Sequence, residues 1–195
     1  MPHFVFSQFN IAKVIQPNFM LGGSASQFRI SLADFENVYD GRWGPSYGGF
    51  AGVRVFSAHY AVLKYGTFQR DGKTGTHESS GLDLKNAHWD EKWYSVGLRI
   101  HPPIATKVQS YYGFGLSFFD VNEVEGLSVF DSNSRNSGLG SGFYMELGLE
   151  YFPISRVATF FEMQIASGGV RGKTGFEAMS VGGFRFALGI SIYPF

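Results

Sequence analysis

Residues 180–195 read SVGGFRFALGISIYPF, and their alternation decides the fold. Phe184, Phe186, Leu188, Ile190 and Ile192 share one face of an extended chain. Arg185, Ala187, Gly189 and Ser191 share the other. Period-two alternation of this length is a β-strand with one apolar face. Its opposite face is small and carries one arginine, which suits neither a soluble sheet nor a transmembrane helix.

The same pattern recurs upstream. Strands are predicted at 19–32, 47–56, 60–70, 93–101, 107–119, 142–152 and 157–167, making eight with the terminal one. Short turns (57–59, 102–106, 153–156) alternate with long polar stretches at 33–46, 71–92, 120–141 and 168–179. In an up-and-down antiparallel sheet every second connection falls at the same end. The expectation is an all-β, closed, up-and-down antiparallel transmembrane β-barrel, with long loops at one rim and tight turns at the other. Residues 1–18 lack a clean period and are expected to form an N-terminal arm to the barrel at 19–195.

Composition agrees. Aromatics reach 17% and charged residues only 16% of the 195-residue chain, against roughly 25% charged in an ordinary soluble domain. The net charge is zero, which gives no electrostatic drive toward nucleic acid. There is no cysteine, so disulfides and thiolate metal sites are excluded. No cofactor or metal is expected. His59, His88 and His101 read as interfacial or solvated, and Asp120, Glu123 and Glu125 as a solvated cluster rather than a calcium loop. The start, Met1-Pro2-His3-Phe4, lacks the basic and apolar regions of a signal peptide. The expectation is an exported chain whose signal was processed or is absent from this sequence.

The charges decide which face is inside. Most fall in the long loops. Eight fall on the predicted strands: Arg29, Arg54, Lys64, Arg99, Glu146, Glu150, Glu162 and Arg185. All eight are assigned to the small-residue face. As the coat of a soluble, lipocalin-like binding barrel they are too sparse. As the lining of a lumen so narrow that side chains fill it, they form a self-pairing ionic network. The apolar face then meets lipid, where an arginine or lysine at the midplane costs ~2–4 kcal/mol. Two aromatic girdles are expected: Phe19, Tyr60, Tyr151 and Tyr193 at the turn rim, and Tyr47, Trp93, Tyr94, Phe118 and Phe143 at the loop rim.

These strands, ending in Tyr193-Pro194-Phe195, resemble the small eight-stranded outer-membrane barrels, the OmpA- and OmpX-like transmembrane domains of Gram-negative envelopes, over residues 19–195. The resemblance implies an outer-membrane location, contact with outer-membrane lipid and lipopolysaccharide, and insertion by the barrel-assembly machinery. Tyr193 and Phe195 are similar to the terminal signal that this machinery reads; Pro194 and the even-numbered apolar residues upstream depart from it. The loops at 33–46, 71–92, 120–141 and 168–179 would be the surface for a protein partner. Such barrels include anchors, adhesins and enzymes, so the fold does not select an activity. The expectation is a structural or surface-interaction role without catalysis, with a narrow channel as a weaker reading. One enzymatic alternative rests on His77-Glu78-Ser79, similar to the outer-membrane lipid A deacylases: Ser79 as nucleophile, His77 as base and Glu91 as the orienting acid.

Overall fold

The computed structural model describes residues 17–32, 35–39, 41–74, 85–102, 107–125, 134–172 and 179–194. Eight strands follow in chain order: β1 (Phe19–Ile30), β2 (Trp43–Phe56), β3 (His59–Thr74), β4 (Lys85–Ile100), β5 (Val108–Glu125), β6 (Ser134–Ile154), β7 (Val157–Gly172) and β8 (Met179–Ile192). Each pairs antiparallel with the next, and β1 closes on β8 from Leu21↔Ile192 to Ile30↔Gly183. Closure pairs every strand on both sides, which removes the open edges that lipid would not tolerate. One short helix, α1 (Phe35–Tyr39), lies between β1 and β2.

Two connections at one rim are tight. Ser57-Ala58 joins β2 to β3, with Ser57 at a φ of 42° beside a register shift at Arg54/Phe56. Ser155-Arg156 joins β6 to β7. This turn rim also holds the start of β1 and the end of β8. At the opposite, loop rim the strands run well past the predicted ends. Pairing of β3 with β4 continues to Thr74↔Lys85, and β5 with β6 to Glu125↔Ser134. Much of the stretches 71–92, 120–141 and 168–179 is therefore strand, and 33–46 contains α1 and the first residues of β2. These segments read as loops because alternation in hydropathy marks only residues that face lipid. Beyond the apolar belt a strand keeps its backbone pairing while its outward side chains turn polar.

Side chains sort by parity around the wall. Among the described residues, the outward face carries large exposed apolar side chains on every strand, including Leu63, Tyr94, Leu116, Met145, Leu147, Ile165 and Leu188. This apolar surface runs all the way round, far beyond the isolated patches of a soluble monomer. A water-soluble barrel with its apolar face turned inward does not describe this molecule. The core sits in the lumen, where inward glycines make room for larger partners. Gly66 leaves space for the Trp93 indole and Gly148 for the Tyr111 ring; a Cβ at either would collide with the ring.

The first strand departs from expectation. Phe28 and Ile30 are buried in the lumen, while Gln27 and Arg29 face outward. Both predicted girdles also lose members. Phe19 and Tyr151 at the turn rim, and Tyr47, Tyr94, Phe118 and Phe143 at the loop rim, are exposed as expected. Tyr60, Trp93 and Tyr193 are buried and point inward on the lumen parity of the chain: the Tyr60 and Tyr193 hydroxyls reach Pro17 and Glu150, and Trp93 stacks on Phe28.

Candidate functional site

The lumen is filled in layers. Its middle is ionic. Lys64 on β3, Arg99 on β4 and Arg185 on β8 meet Glu146 on β6 and Glu162 on β7, and all five are buried. Glu162 is the hub. Its Oε1 accepts from Lys64 Nζ at 2.8 Å and from Arg185 Nη2 at 2.6 Å; its Oε2 accepts from Arg99 Nη2 at 2.9 Å and from the Tyr111 hydroxyl at 2.9 Å. Glu146 accepts from Arg99 Nε at 2.7 Å and also binds Lys64 Nζ. Gln164 Oε1 accepts the third hydrogen bond from Lys64 Nζ (2.8 Å) and a further one from Arg185 Nη2 (2.7 Å). The Arg99 guanidinium lies between the Phe50 and Tyr111 rings, at 4.4 and 4.1 Å from their centroids. Strand pairing brings three of them level, with Gln164 opposite both Glu146 and Arg185, and Lys64 and Arg99 reach in from β3 and β4, so charges from five strands converge.

Below it, toward the turn rim, lies a second polar group. Glu150 Oε2 binds His101 Nε2 at 2.6 Å and accepts from the Tyr193 hydroxyl at 2.5 Å; its Oε1 accepts from Ser191 Oγ at 2.7 Å. Apolar residues Met20, Phe50, Val62, Phe152 and Phe160 pack around this group. The Tyr60 hydroxyl donates to the Pro17 carbonyl at 2.7 Å, which fixes the chain just before β1.

Above the ionic layer the lumen is aromatic. Phe28, Phe68, Trp89, Trp93 and Phe119 form one cluster, with Phe28 at 5.0 Å from Phe68 and 5.3 Å from Trp93 between ring centroids. Helix α1 closes the mouth over it. Phe35 and Tyr39 stack at 4.3 Å, and Phe35 meets Trp89 edge-on at 5.4 Å. The Tyr39 hydroxyl donates to Glu123 at 2.7 Å and its carbonyl accepts from Arg70 Nε at 3.1 Å, which ties α1 to β5 and β3. A helix of five residues has no stability of its own; these contacts hold it in place.

Of the eight predicted lumen charges, six lie in the lumen: Lys64, Arg99, Glu146, Glu150, Glu162 and Arg185. Arg54 has inward parity but sits at the turn rim, where its Nη2 donates to Asn18 Oδ1 at 2.5 Å. Arg29 is a correction: it faces outward, because Phe28 and Ile30 take the inward positions in the aromatic cluster. His101 is a second correction. It is a buried partner of Glu150 rather than a solvated histidine, and its place two residues beyond Arg99, continuing the inward parity of β4 just past the strand's end, is the signal that identifies it. Gln164 and Tyr111 are network members that a search for charges alone passes over.

Glu91 is a third correction. It lies well inside β4, fully buried, with Oε1 accepting from the Gly182 amide at 3.3 Å and Oε2 from Trp89 Nε1 at 3.4 Å. Its expected partners His77 and Ser79 lie outside the described residues. Of the terminal pair, Tyr193 is committed to Glu150 inside the lumen, and Phe195 lies outside the described residues.

No protein-family model and no curated protein sequence matches the chain. Solved structures do. Outer membrane protein OprG from Pseudomonas aeruginosa aligns with a TM-score of 0.58 at 13% identity, covering 90% of this chain and 95% of that one. Neisserial surface protein A aligns at 0.56 and 17%, covering 91% and 97%. Ail, the attachment invasion locus protein of Yersinia pestis, aligns at 0.54 and 11%, covering 91% and 99%. At these identities the likeness concerns the fold, and it spans nearly the whole of each chain. The chain has the fold of the small eight-stranded outer-membrane β-barrels.

Proposed function

We propose that this chain is an outer-membrane barrel with a structural or surface-interaction role, holding its loop-rim segments above the membrane and conducting nothing through its lumen. The observation that carries this reading is the contrast between wall and interior: an unbroken apolar exterior around a lumen packed with an ionic layer and an aromatic plug. An eight-stranded barrel has room inside for side chains and little else. Insertion by the barrel-assembly machinery through the Tyr193–Phe195 end, and a protein partner at the loops, belong to the same reading. Ail, which shares this fold, has also been crystallised with the heparin analogue sucrose octasulfate, so the scaffold supports a ligand in that protein.

The role we propose is non-catalytic. Both oxygens of Glu91 accept hydrogen bonds inside the barrel, which leaves it poorly suited to orient His77. Ser79→Ala is expected to leave lipid A acylation unchanged in an expressing strain; a change in the acylation pattern would restore the esterase. The membrane reading is tested by refolding the chain into phospholipid vesicles. Carbonate-resistant association and a heat-modifiable gel shift are expected, and a chain that stays in the aqueous fraction contradicts it.

A further inference from the structure

The apolar exterior is not uniform. Across the middle of β5 and β6 three successive outward pairs are large: Tyr112, Phe114 and Leu116 lie beside Leu147, Met145 and Phe143. Across the seam of β8, β1 and β2 they are not. Gly23 pairs with Gly49, Ala25 pairs with Tyr47, and Leu21 pairs with Ala51. A Cβ at Gly23 would meet nothing closer than a carbonyl oxygen at 3.8 Å. The result is a groove of about 840 Å³ in the lipid-facing wall, floored by Gly23 and Ala25 and walled by Leu21, Leu188, Ile190 and Ile192.

The seam ends in a charge. Toward the loop rim the outward stripe of β1 runs from Ala25 through Gln27 to Arg29. Trp43 on β2 and Phe186 on β8 stack at 6.2 Å with planes 10° apart, although β1 lies between their strands. Arg29 sits just above, opposite Trp43 and Phe184. It is exposed and has no hydrogen bond or ion pair to another described residue. Ten residues of tilted strand separate Phe19 from Arg29, which matches an apolar band of about 25 Å. The guanidinium is therefore at the water boundary of the same wall that holds the groove. A cation at that height with an apolar channel beneath it is complementary to one kind of molecule: a lipid with an anionic headgroup. Arginine suits phosphate in particular, since its planar fork can give two parallel hydrogen bonds.

We propose that the seam of β8, β1 and β2 is a site for a phosphate-bearing lipid. Its phosphate binds Arg29, and an acyl chain passes the Trp43–Phe186 pair and lies in the groove. The proposal rests on the membrane reading above. The refolded barrel in neutral detergent is mixed with diphosphoryl lipid A, its dephosphorylated form, or inorganic phosphate, and bound species are counted by native mass spectrometry. The expected result is one lipid A retained per barrel. About tenfold less is expected for the dephosphorylated form and for Arg29→Gln, the scale of one lost charge-assisted contact. Gly23→Leu combined with Ala25→Leu fills the groove with lipid-facing side chains and is expected to lower retention by a similar factor. Each variant is checked for heat-modifiable migration, which reports folding independently of lipid. Equal retention of both lipid forms, or by all three folded proteins, overturns the site and leaves the membrane reading standing. Retention of inorganic phosphate in place of lipid overturns it as well. A parent chain that does not enter vesicles overturns both.

Discussion

The two halves of the lumen obey opposite rules. In the middle the inward side chains are charged and the outward ones apolar, so polarity separates inside from outside. In the loop-rim half the interior is aromatic: Phe28, Phe68, Trp89 and Trp93 point inward, and polar residues such as Gln27, Arg29 and Gln69 point out. There polarity points the wrong way, because the wall has left the hydrocarbon and the plug is the apolar phase. Charge inside and grease outside is thus a property of the membrane-spanning height, not of the barrel as a whole.

Substitutions at the two heights should separate these regimes. The largest effect is expected at the hub of the ionic layer. Glu162→Ala strips acceptors from Lys64, Arg99, Arg185 and Tyr111 at once. Breaking a buried ion pair from one side costs ~3–5 kcal/mol, and a matching fall in the urea midpoint of the vesicle-inserted barrel is expected; an unchanged midpoint would mean that the network contributes nothing. In the plug, Phe28→Ala should cost about 3 kcal/mol, as a large-to-small change in a packed core does. Arg29→Ala, one residue along, should stay within ~0.5 kcal/mol, as expected of a surface site. Reversal of that order would restore the sequence-based phase of β1. Smaller still is Tyr193→Phe, which removes one donor from Glu150 while His101 and Ser191 remain; about 1–2 kcal/mol is expected from the same urea titration.

The barrel was legible from alternation alone. Seven strands took the correct phase because their apolar outward stripes lie at membrane height. The first did not, because its most regular stretch, Phe28 to Ile30, belongs to the plug, while its lipid-facing stretch is Gly23 and Ala25 and carries little signal. Six of the eight network charges could be read for the same reason: only a lumen tolerates charge at that height. His101 and Gln164 were passed over because a count of Lys, Arg, Asp and Glu includes neither, and α1 because of its length, since five residues set no period. Trp93 and Tyr60 look like girdle residues in sequence because an aromatic at a rim has the same neighbours whether it faces lipid or lumen. Parity, not residue type, decides.

A lumen packed with side chains inside an apolar wall leaves no path for ions. Single-channel recording of the refolded barrel in a planar bilayer tests this most directly. A flat baseline is expected from protein whose vesicle association and heat-modifiable migration show that the barrel is folded and inserted. Reproducible conductance steps from that folded barrel would contradict it.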